Sequence, residues 1–261
     1  MYIDTHCHLS KTDYENITDI INNATDNKVN NLIISGCDKE SILESIKIAR
    51  ENNNVFLTLG YHPSEANNIT DDDITDLKKF VISNEKVVGI GEIGLDYHWD
   101  NDNKEKQKML FKKMLKLAKE LSLPVIIHSR DAFQDTYDIL KKSNINGIIH
   151  CFSGNIENAK MYINIGFKLG IGGVVTFKNT NLKDVIKLID LKNIVLETDS
   201  PYLAPTPYRG SKNEPKYIPI IAKEIANIKN IEVEEVAKVT TENAKEIFGI
   251  WLKKKIMLFF I

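Results

Sequence analysis

Short apolar runs alternate with longer amphipathic stretches along most of the chain. The runs are rich in Val, Ile and Leu and are continuous, which is typical of parallel strands buried on both faces. In the stretches between them, apolar residues recur at helical spacing. The pattern predicts strands near 2–6, 31–35, 55–60, 87–91, 124–127, 147–149, 167–171 and 193–197. It predicts helices near 13–27, 39–52, 71–83, 104–122, 131–142, 155–164 and 180–189, then an irregular loop at 200–215 and terminal helices.

Eight strand-then-helix units in about 250 residues match one α/β architecture, the (β/α)8 TIM barrel. A doubly wound open sheet is the alternative, but it normally has fewer strands and a glycine-rich phosphate loop after the first strand. Here the first strand ends in His6, Cys7 and His8. We therefore predict a barrel, formed by a single domain over residues 1–261.

The composition narrows the class of protein. A hydrophobic content of 43% and a charged content of 27% are ordinary for a globular chain. No apolar run reaches about 18 residues and no secretory signal is apparent, so we expect no membrane span. Three cysteines without a C-x-x-C pair argue against disulfide partners, and we expect a cytoplasmic monomer. The net charge of −2 means that any binding of nucleic acid needs a local patch.

Ligand-type side chains stand where the predicted strands end. In a (β/α)8 barrel the active site lies at the carboxyl ends of the strands. His6 and His8, two residues apart on the first strand, project to the same face. The other strand ends carry His62, Glu92, His128, His150 and Asp199. Because imidazole and carboxylate are metal ligands, this pattern predicts a metal site at the barrel mouth.

The size of the ligand set predicts two metal ions. Without His62 it comprises four histidines and two carboxylates, more than one tetrahedral zinc site uses. Six ligands suit two adjacent divalent ions that share a carboxylate, and Zn, Mg or Mn would fit them. The predicted chemistry is hydrolysis through a metal-bound hydroxide. Asp199, opposite the first strand, can also accept the proton of attacking water; the alternatives are a turn cap for Asp199 and a loop carboxylate for Glu92.

Three further residues are candidates for substrate binding. His62, in a turn before Pro63, either contacts a phosphate or is only a hydrogen-bonded turn residue. Arginine is scarce among the 34 basic residues, so each arginine suggests a place where its planar fork matters. We assign Arg209, in the loop after the last strand, to phosphate binding. For Arg130 an ion pair with a carboxylate on a neighbouring helix is an equal alternative.

The ordered motifs of this chain resemble those of the TatD family of metal-dependent deoxyribonucleases, which is similar to the wider amidohydrolase barrels. The resemblance runs from residue 2 to about 250. It is carried by the segments Asp4–His8 (DTHCH), Gly60–Pro63 (GYHP), Gly91–Asp96 (GEIGLD), His128–Arg130 (HSR), His150–Gly154 (HCFSG) and Glu197–Leu203 (ETDSPYL).

The resemblance implies a division of the ligands. His6, His8, Glu92 and Asp199 would hold one metal, and Glu92 would bridge to a second metal completed by His128 and His150. It also implies hydrolysis of DNA phosphodiester bonds, with 3′–5′ exonuclease action. Many members of the family carry Arg where Lys212 stands, so the positive charge is kept at this position but the planar guanidinium is lost.

Two other functions remain open at this point. The same metals and phosphate-binding residues would serve a hydrolase of another bond, such as the ester of an aminoacyl-tRNA. A non-catalytic protein that keeps its metals for stability is the second alternative. The last six residues, 256–261, are all apolar; we expect them either to pack on the underside of the barrel or to pair with another copy.

Overall fold

The computed structural model describes residues 1–99 and 102–250, in which strands and helices alternate as the sequence predicts. The strands are β1 (Tyr2–Cys7), β2 (Val29–Gly36), β3 (Val55–Leu59), β4 (Val87–Asp96), β5 (Val125–Arg130), β6 (Gly147–Ile149), β7 (Phe167–Ile171) and β8 (Ile194–Leu196). The helices are α1 (Ile17–Asp26), α2 (Lys39–Glu51), α3 (Asp71–Ser83), α4 (Lys104–Leu121), α5 (Phe133–Ser143), α6 (Ile156–Asn164), α7 (Leu182–Leu188), α8 (Ile218–Lys229) and α9 (Val233–Phe248).

The strands form one parallel sheet in the order β1 to β8. Each strand pairs with its successor in the chain. The chain after β8 then returns to β1: the Asp199 amide donates to the His6 carbonyl at 3.0 Å, and the Thr5 hydroxyl donates to the Leu196 carbonyl at 3.0 Å. The sheet is thus a nearly closed barrel surrounded by helices, and the predicted (β/α)8 TIM barrel is confirmed.

The interior of the barrel changes from apolar to polar along the strands. Ile33, Ile126, Ile148 and Val195 pack together in a buried cluster, which Phe248 of α9 closes from below. Since side chains alternate along a strand, the residue two positions further on also faces inward. In these four strands that next position is polar or ionisable and holds Ser35, His128, His150 and Glu197. The apolar cluster at the bottom of the barrel, its apolar floor, packs the strands together. The polar and ionisable side chains lie at the mouth.

Capping side chains set where the first helices begin. Asn16 accepts hydrogen bonds from the backbone at the start of α1. Asp38 with Ser41, and Thr70 with Asp73, form reciprocal capping boxes at the starts of α2 and α3. Each box satisfies backbone donors that a helix otherwise leaves open, which stabilises it by roughly 1 kcal/mol.

Strand β4 is longer than the sequence predicts. The expected strand ends at Gly91, but β4 continues to Asp96, so Glu92 lies within a strand instead of after it. The glycines in this stretch made the predicted strand too short, because glycine is unfavourable in a strand unless a neighbour approaches closely. Such an approach occurs at Gly94, where φ is +149° and a Cβ would lie 1.9 Å from the carbonyl oxygen of His128. Close contact between β4 and β5 therefore requires this glycine.

The predicted placement of the apolar segment 256–261 falls outside the described residues. Within the described ranges, none of the helices is both long enough and apolar enough to cross a membrane. The three cysteines, Cys7, Cys37 and Cys151, are free thiols.

Candidate active site

The barrel brings the six predicted metal ligands into one cluster at its mouth. The Nε2 atoms of His6 and His8, both on the β1 side, lie 3.1 Å apart. Each also lies 3.5 to 3.6 Å from Oδ1 of Asp199, which follows β8 on the other side of the barrel seam. Three side chains that are distant in sequence therefore converge on one point, as the strand-end pattern predicts.

The Glu92 carboxylate joins this group to a second one. Its Oε2 lies 3.5 Å from Nε2 of His6 and 3.6 Å from Nε2 of His8. Its Oε1 lies 2.7 Å from Nδ1 of His128 and 2.8 Å from Nε2 of His150. Each carboxylate oxygen thus faces its own histidine pair, which is the arrangement expected of a carboxylate shared by two metal ions.

The loop after β8 holds Asp199 in a strained backbone conformation. Its φ is +56°, in the left-handed region that non-glycine residues rarely adopt. Asn213, which is fully buried, fixes this loop. Its side-chain amide donates to the carbonyls of Thr198 at 2.8 Å and Tyr202 at 2.6 Å. The surrounding hydrogen bonds therefore stabilise a conformation that directs Asp199 towards the histidines.

The two carboxylates of the cluster are ionised at neutral pH. Burial by itself raises the pKa of Glu92, but the positive potential of His150 and a hydrogen bond from His128 hold that pKa well below its ordinary value. For Asp199 burial acts in the same direction, and the adjacent imidazoles of His6 and His8 hold its pKa well below the usual range. The mouth of the barrel therefore presents negative charge within a ring of imidazoles.

Hydrogen bonds behind the cluster select which ring nitrogens face it. The carbonyl of Ser35 can only accept, so the contact of 3.2 Å with His8 fixes the proton on Nδ1 and leaves the Nε2 lone pair for a metal. Asp96 Oδ2 lies 2.9 Å from Nε2 of His128, which leaves Nδ1 to face Glu92 and His150. Hydrogen bonds of this kind fix the tautomer and the orientation of metal-ligating histidines and raise their basicity.

Glu197 supports His150 in a similar position. Its carboxylate is fully buried, and Oε1 accepts the amide of Cys151 at 2.5 Å and lies 3.6 Å from Nδ1 of His150. Gly170 leaves it room, because a Cβ there would lie 2.1 Å from Oε2. Ser35, Asp96 and Glu197 were not predicted as site residues. Ser35 and Glu197 could have been found from their position two residues beyond an inward-facing apolar residue, Ile33 or Val195.

His62 lies beside the cluster with its own tautomer fixed. The amide of Ser64 donates to Nδ1 at 3.2 Å, so Nδ1 is unprotonated and Nε2 carries the hydrogen. Nε2 lies 3.9 Å from Oε1 of Glu92. Burial lowers the pKa of His62 to about 4, so the ring is neutral. His62 therefore accepts a hydrogen bond within the turn through Nδ1, and its Nε2–H group is a potential donor beside the cluster.

The two arginines do not contact the cluster in this structure. The guanidinium of Arg130 lies 5.3 Å from the ring centroid of Trp99, and that of Arg209 lies 3.9 Å from the ring centroid of Phe177. Both side chains are exposed. Lys212 turns away: its ammonium donates to the carbonyl of Asp13 and lies 5.5 Å from the ring of Tyr14. The contact of Arg130 is thus with an aromatic ring instead of the helix carboxylate considered above.

The donor set fits divalent metal ions. Several trios of side chains each offer ligand atoms that lie within 4.8 Å of one another, among them His6, His8 and Glu92, and Glu92, His128 and His150. The Nε2 atoms of His6 and His8 are 3.1 Å apart, close enough for both nitrogens to bind one cation. The donors are imidazole nitrogens and carboxylate oxygens, which suit zinc, manganese or magnesium.

A (β/α)8 barrel with these donors at its mouth is the architecture of a metal-dependent hydrolase. The family model described as TatD related DNase matches residues 3–249. The chain belongs to this TatD family, as the motifs of the sequence indicate.

Similar proteins and a similar solved structure support the same family. The chain is 41% identical over 255 residues to the uncharacterized metal-dependent hydrolase YabD of Bacillus subtilis, covering 96% of this chain and 100% of that protein. It is 35% identical to the uncharacterized metal-dependent hydrolase YcfH of Escherichia coli, covering 95% and 96%. The crystal structure of YJJV, a TatD homologue from Escherichia coli, superposes with a TM-score of 0.89 at 28% identity, covering 95% of this chain and 98% of that one.

Proposed function

We propose that this protein hydrolyses phosphodiester bonds of DNA, removing nucleotides from the 3′ end, with two divalent metal ions bound at the barrel mouth. The observation that carries the proposal is the Glu92 carboxylate, whose two oxygens face two separate histidine pairs. DNA as the substrate is supported by the description of the matching family. The free thiols of the chain fit a reducing compartment, and we propose the cytoplasm.

The proposed ligands divide at Glu92. His6, His8 and Asp199 would hold one ion together with one oxygen of Glu92. The other oxygen would hold the second ion together with His128 and His150. When bound, two such ions polarise the scissile phosphate and make water acidic enough to attack at neutral pH.

Three side chains would act on the substrate and the water. Asp199 is ionised and would accept the proton of the attacking water, acting as general base. His62 carries its hydrogen on Nε2, next to Glu92, and would donate it to a phosphate oxygen. Arg209 lies on the same loop as Asp199 and would pair with a phosphate further along the strand.

The test is digestion of end-labelled DNA by protein of measured metal content. We expect a 3′ label to be released before a 5′ label, and a phosphorothioate at the 3′ terminus to slow digestion. Chelation should abolish the activity and divalent metal should restore it.

Two outcomes would contradict the proposal. Undiminished digestion by metal-free protein would show that the reaction does not need the metals. Hydrolysis of aminoacyl-tRNA, run beside DNA with no cleavage of DNA, would reassign the same cluster to another ester.

A further inference from the structure

Trp99 exposes a large aromatic surface at the rim of the barrel mouth. Its exposed fraction is 76%, the highest among the large hydrophobic side chains of residues 1–99 and 102–250. A ring left in solvent does not gain the stabilisation that burial of an apolar side chain contributes. A single exposed apolar side chain needs no explanation by itself, but an aromatic ring beside a candidate active site offers a face on which a nucleic-acid base can stack.

Several contacts hold the Trp99 ring in place. Its backbone amide donates to Oδ1 of Asp96 at 3.3 Å. The guanidinium of Arg130 lies 5.3 Å from the ring centroid, within the range of a cation–π contact. The His98 ring meets the indole edge to face at 4.9 Å, and its own Nδ1 lies 2.9 Å from Oδ2 of Asp131. The indole is therefore presented in a defined position next to a cation.

This surface adjoins the proposed metal cluster. Asp96 and Arg130 are neighbours in the strand register, at the carboxyl ends of β4 and β5. Asp96 holds the Trp99 amide with one oxygen and the His128 ring with the other, at 2.9 Å. The same carboxylate thus links the exposed indole to a candidate metal ligand.

Other aromatic rings near the mouth are less available. Tyr97 is buried, and its hydroxyl donates to Asp135 at 2.7 Å. Tyr208 stacks on Tyr217 with ring centroids 4.4 Å apart. Tyr202 is 59% exposed but lies on the β8 side, 6.3 Å from the His8 ring. Trp99 combines greater exposure with an adjacent guanidinium.

We propose that Trp99 and Arg130 form a subsite for an unpaired nucleotide of single-stranded DNA, an inference that rests on the proposed function. The indole stacks on the base, and Arg130 pairs with the adjoining phosphate. Bases inside a duplex are already stacked on both faces, so the subsite favours single strands and frayed ends. Asp131 and Asp96, two carboxylates of the described residues near this surface, are paired with His98 and His128 respectively, which reduces their repulsion of a bound phosphate.

Fluorescence provides a direct test, since the sequence contains only two tryptophans, Trp99 and Trp251. In a Trp251→Phe protein with its metals bound, Trp99 is the sole tryptophan. Single-stranded oligothymidylate should quench its emission in a saturable way, and blunt duplex of the same length should do so much more weakly. Absent or equal quenching by the two ligands would overturn the proposal.

Kinetics test the same subsite in the metal-loaded enzyme. Trp99→Ala should raise KM for single-stranded DNA about 5- to 100-fold, the range of one stacked base, and change kcat much less. Trp99→Phe should restore part of the loss. The matched control is Ile82→Ala, which removes another side chain that is 65% exposed, at the far end of α3. Equal KM values in Trp99→Ala and the control would overturn the subsite.

The two arms separate this inference from the proposed function. Saturable quenching without turnover of any DNA would support the subsite and contradict the proposed hydrolysis. DNA turnover with neither quenching nor a change in KM would leave the proposed function in place and overturn the subsite.

Discussion

At the scale of single residues, the proposed role of Asp199 as general base can be tested by one substitution. Asp199→Asn preserves shape but cannot accept the proton of attacking water, and it is a weaker, neutral ligand. General-base assistance contributes roughly a hundredfold to ten-thousandfold, so we expect kcat to fall by at least that factor. The assay uses saturating metal, with elemental analysis and thermal melting beside it. A mutant that holds two metals and turns over DNA within a few-fold of wild type would exclude Asp199 as the base.

Asp96 is expected to act through His128. Removing its charge in Asp96→Asn should weaken the hydrogen bond to Nε2 of His128 and so lower metal affinity about 10- to 100-fold. Competition with a chelator measures this affinity, and activity should recover largely at high metal concentration. Asp135→Asn is the matched control, since that carboxylate binds Tyr97 and Lys108 outside the cluster. Equal metal affinities in the two variants would show that Asp96 does not orient the ligand.

At this scale the sequence indicated the candidate ligands but not the residues that lie behind them. His6, His8 and His128 stand out because several imidazoles at the carboxyl ends of buried strands are typical of a metal site. Asp96 and Glu197 went unassigned, because a carboxylate that binds a histidine looks the same in sequence as one that faces solvent. The contact of Arg130 was equally unpredictable, since it depends on where the loop after β4 places Trp99.

At the scale of elements, the seam between β8 and β1 positions half of the cluster. The buried carboxylate of Asp4 accepts the hydroxyl of Thr198 at 2.5 Å and its amide at 3.0 Å. Both residues are fully buried. Because His6 follows on one side of this contact and Asp199 on the other, the seam sets the distance between two proposed ligands.

Thr198→Val tests the seam. It keeps the volume of the side chain but leaves a buried carboxylate without one hydrogen bond, which should lower the free energy of unfolding by about 1–3 kcal/mol. The midpoint of urea unfolding measures the change. Thr75→Val, on the exposed face of α3 where the hydroxyl bonds only Asp71 of its own helix, is the control and should change far less. An unchanged midpoint in Thr198→Val would mean that the seam does not depend on this hydrogen bond.

Elements with strong apolar runs were predicted most closely, and the largest difference has a physical cause. Strands β6 and β7 match the prediction residue for residue. Strand β4 was predicted five residues short, because its glycines serve contacts with neighbouring strands that the sequence does not display. The short prediction placed Glu92 after the strand, whereas the structure places Glu92 within β4.

At the scale of the whole molecule, the core should not need the metals. The apolar floor of the barrel and the layer between strands and helices form large buried clusters away from the mouth. A chain of this size buries enough surface to fold without a metal. We expect chelation to abolish hydrolysis while circular dichroism remains that of a folded barrel. Loss of the helical spectrum on chelation would assign the metals a structural role instead.

The central claim is that Glu92 joins two metal sites on which DNA is hydrolysed. The most direct measurement is a titration of metal-free protein with divalent metal, in which bound metal per chain and release of nucleotides from single-stranded DNA are followed together. We expect no release of nucleotides without metal and a maximum rate of release when two ions are bound per chain. In Glu92→Gln the maximum rate should fall steeply, because the shared carboxylate is lost. Full activity without metal, or wild-type activity in Glu92→Gln, would contradict the account.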